Sequence, residues 1–395
     1  MKLSNRIQKV SESATLAAAQ KAKDLKRQGI DVISLTVGES DFPTPDYIDQ
    51  AAIESINNHS ADHYTAVNGI IELRQTIADT YKERSSNFYT ADHVYVGSGV
   101  KTVLYNLFQV LINPGDEVIL PVPYWVSFAE QIKMAEGRPV FVQGKVEEGF
   151  KLTPEDLDQV YSEKTKAMVL NSPSNPTGIV YSKEELEEIG EWAVENNVII
   201  IADEIYKRLV YNGREEVSFS DFSTAIKEQT IIVDGVSKTY AMTGWRIGYA
   251  LGNKKVMKAL AKYASQANGN PAAVSQYAAM TAYKEETDEV EKMIRSFEQR
   301  SNKAYEWMGT IPGFHLPVKP GGAFYLFPDV SEAAKMTGYE SVDDFNLALI
   351  EEAHVVGVPG SSFGLANHLR FSYAIDEEVF AEGMKRIKTF IESKR

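Results

Sequence analysis

Cysteine is absent from this 395-residue chain. Its absence excludes disulfides, thiolate metal sites and cysteine nucleophiles together. It also fits a reducing compartment, so a cytoplasmic location is expected. The six histidines are spread along the chain, and no metal site is expected. No uncharged apolar run approaches the roughly 18 residues of a transmembrane helix. The N-terminal Met1-Lys2-Leu3-Ser4-Asn5-Arg6 leads into a polar helical pattern rather than an apolar stretch, so no signal peptide is expected. Basic residues are in deficit, with 41 Lys+Arg against 55 Asp+Glu and a formal charge of −14. Such a surface repels nucleic acid and anionic membrane, and neither is an expected partner. Internal repeats, low-complexity tracts and flexible linkers are missing too.

What is present is enough apolar sequence, 44% of residues, to bury a sizeable core. Residues 12–28 read as an exposed helix ended by Gly29, and Val32–Leu35 as a short strand. A helix near 46–57, a Tyr64–Gly69 loop and a helix from Ile71 follow. From about residue 93 strands and helices alternate. Val94–Val96, Glu117–Leu120, Ala167–Leu170, Val198–Ala202 and Thr230–Val233 read as strands, and 100–112 and Lys183–Glu195 as helices. Runs apolar on both faces suit a mostly parallel sheet sandwiched by helices, an α/β fold. After 285 a long charged helix to 308 and mixed segments, ending in a helix from about 377, read as a smaller α+β domain. The expected division is a large domain at 45–285, with 1–44 and 286–395 forming the small one.

Three stretches carry chemistry. Gly97-Ser98-Gly99-Val100-Lys101-Thr102 meets neither the dinucleotide nor the P-loop pattern. It remains a Gly-rich turn feeding a helix N-terminus, which presents amides to an anion or is simply a tight turn. Asp203, in Ala202-Asp203-Glu204-Ile205-Tyr206, ends a buried strand at the carboxyl edge where open α/β sheets bind ligands. The third stretch runs Gly235-Val236-Ser237-Lys238-Thr239-Tyr240-Ala241-Met242-Thr243-Gly244-Trp245-Arg246-Ile247-Gly248. A lysine just after a buried strand is unusual. Desolvation lowers its pKa and lets it form a Schiff base. Arg246, eight residues on, offers a fork suited to phosphate.

This string resembles the lysine signature of the fold type I pyridoxal-phosphate aminotransferases of class I/II. The resemblance extends in order over essentially the whole chain. It takes in Gly38-Glu39, Tyr64, Gly97–Lys101, Pro123-Tyr124-Trp125, Asn175-Pro176-Thr177-Gly178, Asp203–Tyr206, Pro320-Gly321-Gly322 and Leu369-Arg370-Phe371-Ser372. Its spacing is most similar to the bacterial Iγ subgroup of aspartate and aromatic aminotransferases. The resemblance implies pyridoxal 5′-phosphate as cofactor. It implies Lys238 as Schiff-base lysine and acid/base, and Asp203 as partner of the pyridine nitrogen, keeping it protonated. Tyr206 and Asn175 would bond the ring's 3-oxygen. Trp125 would stack on the ring, with Tyr124 as alternative. Gly99 and Val100 amides, Arg246 and Ser237 would hold the phosphate, joined by Tyr64 from a second subunit of a homodimer. Arg370 would grip the substrate α-carboxylate with help from Asn175 and the Gly38 amide. Lys101 would read a distal carboxylate.

Two departures stand out. Many relatives carry Ser or Thr where this chain has Gly235, so one phosphate ligand of the family is expected to be missing, with Ser237 as its substitute. The stretch Gln266-Ala267-Asn268-Gly269-Asn270-Pro271 lacks the arginine that animal-type aspartate aminotransferases supply to the partner's site. The resemblance thus implies amino transfer from aspartate to 2-oxoglutarate in two half-reactions. Alternatives are an aromatic amino-acid aminotransferase or, in another reaction class, a carbon–sulfur β-lyase. A non-catalytic regulator with this fold is disfavoured because Lys238, Asp203 and Arg370 stand together.

Overall fold

The computed structural model describes residues 3–4, 7–11, 14–285 and 287–394. Its centre is a seven-stranded sheet. In chain order the strands are β1 (Val94–Gly97), β2 (Glu117–Val122), β3 (Arg138–Gln143), β4 (Thr165–Asn171), β5 (Ile199–Asp203), β6 (Thr230–Gly235) and β7 (Gly248–Leu251). Their spatial order is β1-β7-β6-β5-β4-β2-β3. All neighbours are parallel except β7, which runs antiparallel to both β1 and β6. The expected α/β sandwich is found, with one antiparallel member.

Both faces of the sheet are covered, as its unbroken apolar strands require. Along β4, Met168 and Leu170 face a cluster with Ile48, Leu73, Ile77, Leu186 and Ile189. Ala167 and Val169 face the opposite cluster with Val103, Leu107, Phe128, Ile132 and Leu260. Helices Asp46–Asn57, Ile71–Thr80, Lys183–Glu195 and Ala273–Lys284 therefore lie on one side. Helices Val100–Leu111, Ser127–Met134 and Lys254–Ala267 lie on the other.

The sequence reading passed over β3 and β7. No position of β3 is fully buried, as befits an edge strand, and its apolar run is only Val140-Phe141-Val142 after Pro139. β7 begins at Gly248 and is only four residues long. The expected helix over 285–308 begins at Asp288, after Thr287 adopts an extended conformation. The N-terminal helix is described over Ala14–Arg27, so the expected residues 12 and 13 lie outside the described residues, as does 286.

A further core gathers Ile33 and Leu35 with Phe297, Phe345, Phe371 and Ile387. It contains an antiparallel trio, Tyr325–Leu326, Leu369–Ser372 and Val358–Pro359, and a parallel pair, Ile33–Ser34 with Val355–Val356. Ile205, Tyr206, Leu209 and Tyr211, just past β5, insert into this core. The segment that carries Asp203 is thereby tied to the C-terminal elements.

Phe297 is fully buried, edge-on to Phe42 at 5.5 Å and 5.6 Å from Phe324. Phe297→Ala should destabilise the protein by about 3–5 kcal/mol, read as a lowered urea midpoint. A loss below about 1 kcal/mol would show that this contact is not part of a close-packed core.

Candidate active site

The parallel strands end in line. Asn171, the last residue of β4, pairs with Asp203, the last of β5, and Asp203 pairs with Val233 of β6. Directly after β6, the short helix Val236–Thr239 carries Ser237 and Lys238. Above these ends opens a cavity of about 640 Å³. It is lined by Gly38, Val100, Lys101, Trp125, Asn175, Asp203, Tyr206, Ser237, Lys238, Arg246 and Arg370 among others. Residues more than 300 positions apart thus meet, as the sequence resemblance implied. Gly99, next to Val100, underlies Arg246. Tyr64 is the exception: it is 97% exposed and lies outside the cavity of its own chain.

Glycines shape one wall. Gly97, Gly248 and Gly235 form a row across β1, β7 and β6. A Cβ on Gly248 would stand 2.4 Å from the Val100 nitrogen and 2.7 Å from the Gly99 carbonyl carbon. The bare row lets the Gly99 turn lie against the sheet, at a φ of 87° that favours glycine. A Cβ on Gly235 would meet the Ile247 oxygen at 2.6 Å, so a serine there would force the backbone to shift. Arg246 lies over Gly99, since a Cβ on Gly99 would sit 2.4 Å from its Nη2. The Arg246 Nη1 donates to the Thr243 carbonyl at 2.9 Å. The opening of a helix, an Arg fork and Ser237 therefore surround one corner, a setting for an anion.

At the cavity floor, burial acts oppositely on two charges. Asp203 is 4% exposed, and its Oδ1 accepts from the Ile205 amide at 3.2 Å. Desolvation raises its pKa from 3.8 to about 7, against the lowering effect of that bond. The residue lines the cavity. For Lys238 the same desolvation lowers the pKa from 10.5 to about 8. Arg246 and Arg370 push it further down while Glu39 opposes them. The Lys238 amine donates to the Gly38 carbonyl in a short contact.

Arg370 is 2% exposed. Its Nη1 donates to Asn175 Oδ1 at 2.9 Å and its Nη2 to the Thr36 carbonyl at 2.7 Å. Its Nε, also buried, has no partner, and its guanidinium lies 4.6 Å from the centre of the Tyr325 ring. Burial lowers the pKa of Arg370. The Tyr206 and Tyr325 hydroxyls share a 2.8 Å bond, and burial raises the Tyr206 pKa well above its ordinary value. Trp125 lines the cavity, whereas Tyr124 stacks on Phe141 at 5.3 Å. The Lys101 amine stands 5.0 Å from the centre of the Trp125 ring, and its pKa is lowered by desolvation and by Arg246.

Sequence reasoning missed Tyr325, Glu39, Thr36 and Asn171. Asn171 donates to the Asp203 carbonyl at 2.9 Å and accepts from the Asn175 amide at 2.8 Å. Glu39 Oε2 accepts from Thr243 at 2.7 Å. The position of Asn171 at a strand end, opposite Asp203, was the available signal. His59 and His63 do stand four residues apart, but the helix before them ends at Asn57 and both are exposed. Among the described residues no group of three His, Cys, Asp or Glu could hold a metal. Nor is any described helix long and apolar enough to cross a membrane.

The aminotransferase class I and II family matches residues 30–387, and the chain belongs to that family. It is a pyridoxal-phosphate-dependent aminotransferase. It is 49% identical to an aspartate aminotransferase of Bacillus sp. (strain YM-2), over 98% of this chain and 99% of that one. It is 47% identical to an asparagine–oxo-acid transaminase of Streptococcus mutans, over 99% of each. Among solved structures it is similar to the aspartate aminotransferase of Rhizobium meliloti, with a TM-score of 0.93, 35% identity and 99% coverage of each chain. The cavity suits the cofactor. A desolvated carboxyl at its floor gains from a cationic N–H, and the side-chain-free turn under Arg246 leaves room for a phosphate.

Asp203 also makes a pH-dependent contribution to stability. Its folded pKa of about 7 exceeds the ordinary 3.8, so the folded apoenzyme holds a proton that the unfolded chain releases. Its cost is absent below about pH 4 and complete above about pH 7, reaching about 4 kcal/mol at roughly 1.4 kcal/mol per pKa unit. Asp203→Asn should stabilise the apoenzyme at pH 8 and leave it nearly unchanged at pH 4. Equal effects at both values would refute the buried, raised carboxyl.

Proposed function

We propose that this chain transfers the amino group of aspartate to 2-oxoglutarate, in two half-reactions, as a cytoplasmic homodimer with shared sites. Residues 45–285 form its cofactor-binding unit, and 1–44 with 286–395 the smaller one. The observation that carries this reading is the convergence of Lys238, Asp203 and Arg370 with Lys101 in one cavity. The names of the relatives described above support the substrate. Bound pyridoxal phosphate supplies a carbonyl for the amino group and a ring that accepts electrons.

The protein residues divide the remaining work. Lys238 anchors the cofactor and, once released, carries a proton between carbon atoms. A pKa near 8 suits both tasks at neutral pH. Asp203 accepts the ring N–H and keeps that nitrogen charged. Tyr206 and Asn175 donate to the ring oxygen, and Trp125 covers one ring face. Gly99 and Val100 amides, Ser237 and Arg246 hold the phosphate, with Tyr64 reaching in from the second subunit. The Arg370 fork meets the α-carboxylate, beside the Gly38 amide. Asn175 orients this guanidinium, and Lys101 meets the second carboxylate of aspartate.

A donor panel at fixed 2-oxoglutarate tests the substrate. A charge-assisted hydrogen bond contributes about 1.5–3 kcal/mol, or about ten- to a hundredfold in specificity. Lys101→Ser should lower kcat/KM for aspartate by that factor and leave phenylalanine far less affected. Equal losses would assign Lys101 to the phosphate and favour an aromatic donor.

Shared sites have their own test. Tyr64→Ala and Lys238→Ala should each be inactive or nearly so. Mixed and reassembled, they should regain activity, because one site of each hybrid receives both native residues. A fully active Tyr64→Ala variant, or inactive hybrids shown to have formed, would sink the shared site.

A further inference from the structure

Behind the cavity floor lies a second charged cluster that the chemistry above does not use. Glu204 follows Asp203, and Asp234 follows Val233, the register partner of Asp203. Strand alternation turns both side chains away from the face that Asp203 occupies. All three carboxyl residues are buried, at 4%, 4% and 5% exposure. Lys207, one turn beyond Glu204 and largely buried, is the cation paired with two of them. Its amine lies 2.8 Å from Asp234 Oδ2 and 4.0 Å from Glu204 Oε2. It also bonds the Tyr81 hydroxyl in a short contact.

The cluster is closed by hydrogen bonds. The Tyr249 hydroxyl meets Asp234 Oδ2 at 3.1 Å and the Tyr81 hydroxyl at 2.8 Å. The Gly235 amide donates to Asp234 Oδ1 at 2.6 Å, within the turn that leads to Lys238. Glu204 accepts from the Ser218 hydroxyl at 2.8 Å and the Phe219 amide at 2.9 Å. Burial weakens the hold of Lys207 on its proton, but Asp234, Tyr81, Glu204 and the more distant Glu216 hold its pKa well above the ordinary value.

We propose that Lys207 is a positioning residue for the reaction. By neutralising Asp234 and Glu204 behind the sheet, it keeps the Asp203 carboxylate charged and so able to hold the cofactor's ring nitrogen protonated. Both neighbouring carboxylates disfavour a charged Asp203, which desolvation already penalises. Lys207 is the positive charge that offsets them. Asp234 has a double part, since the Gly235 amide ties it to the lysine-bearing turn.

The inference rests on Asp203 facing the ring nitrogen, and its test separates the two ideas. Holoenzyme is loaded with pyridoxal phosphate labelled with ¹⁵N in the ring, and the ring resonance reports protonation directly. Lys207→Met should move the resonance toward the unprotonated position and lower kcat about tenfold for each pKa unit by which Asp203 rises. The double variant Lys207→Met/Asp234→Asn, which leaves the net charge of the cluster unchanged, should restore both. A merely structural lysine would lower thermal stability without moving the resonance, and that result overturns the proposal. Should the single variant fail to fold, the double variant is compared with Asp234→Asn alone. The ring nitrogen should then be less protonated in the double variant, and identical spectra would overturn the proposal equally. Asp203→Asn serves as the control. If it leaves the resonance unmoved, the assignment of Asp203 fails instead.

Discussion

The site depends on burying two opposite charges in the same dry place. Desolvation disfavours any charged form, so it raises a carboxyl and lowers an amine. Asp203 and Lys238 therefore move toward each other, to about 7 and about 8. In water their pKa values would lie far apart, with the amine locked as a cation. Here the amine can lose its proton near neutral pH, which a nucleophilic and proton-carrying lysine requires. The desolvated carboxyl gains from a cationic partner. The same burial thus prepares the lysine and makes the apoenzyme's carboxyl a cost that cofactor binding relieves.

The sheet supplies this environment because its parallel strands end together. Asn171, Asp203 and the turn after β6 reach one edge, while apolar helices seal both faces below. Side chains on that edge have rigid backbones beneath them. The antiparallel β7 adds something a purely parallel sheet would not. It returns the chain from Arg246 beside the Gly99 turn, and its glycine lets the two approach. Tertiary ties complete the setting, since Tyr325 lies under Arg370 and bonds Tyr206.

Much of this was legible in the sequence, for physical reasons. Buried strands announce themselves by apolar runs, and a lysine or aspartate at the end of such a run has few structural excuses. Lys238 and Asp203 were visible in that way and Arg246 by its spacing from Lys238, whereas Arg370 came from the family resemblance alone. Tyr325 and Thr36 were not. Tyr325 looks like any core aromatic, and Thr36 acts through its carbonyl, which no residue type encodes. The role of Gly235 was misleading for a similar reason. Its lack of a hydroxyl suggested a lost phosphate ligand, whereas the backbone of Ile247 leaves no space for a Cβ. Lys207 was hidden because a lysine after Tyr206 reads as a surface residue until β6 brings Asp234 beside it.

Charge distribution gives the last link between the chain and its chemistry. The protein as a whole is acidic, at a formal −14. Its cavity has the opposite balance, with Lys23, Lys101, Lys238, Arg246 and Arg370 against Glu39 and Asp203. A positive cleft in a negative surface concentrates the field on anions small enough to enter and repels large polyanions. Two of these cations, Arg246 and Arg370, add to desolvation in lowering the Lys238 pKa, so they act before any ligand binds. Anionic ligands would partly cancel that effect and raise the lysine's affinity for a proton. The electrostatics that draw in a dicarboxylate and a phosphate are therefore the ones that set the proton affinity of the group that must move protons between them.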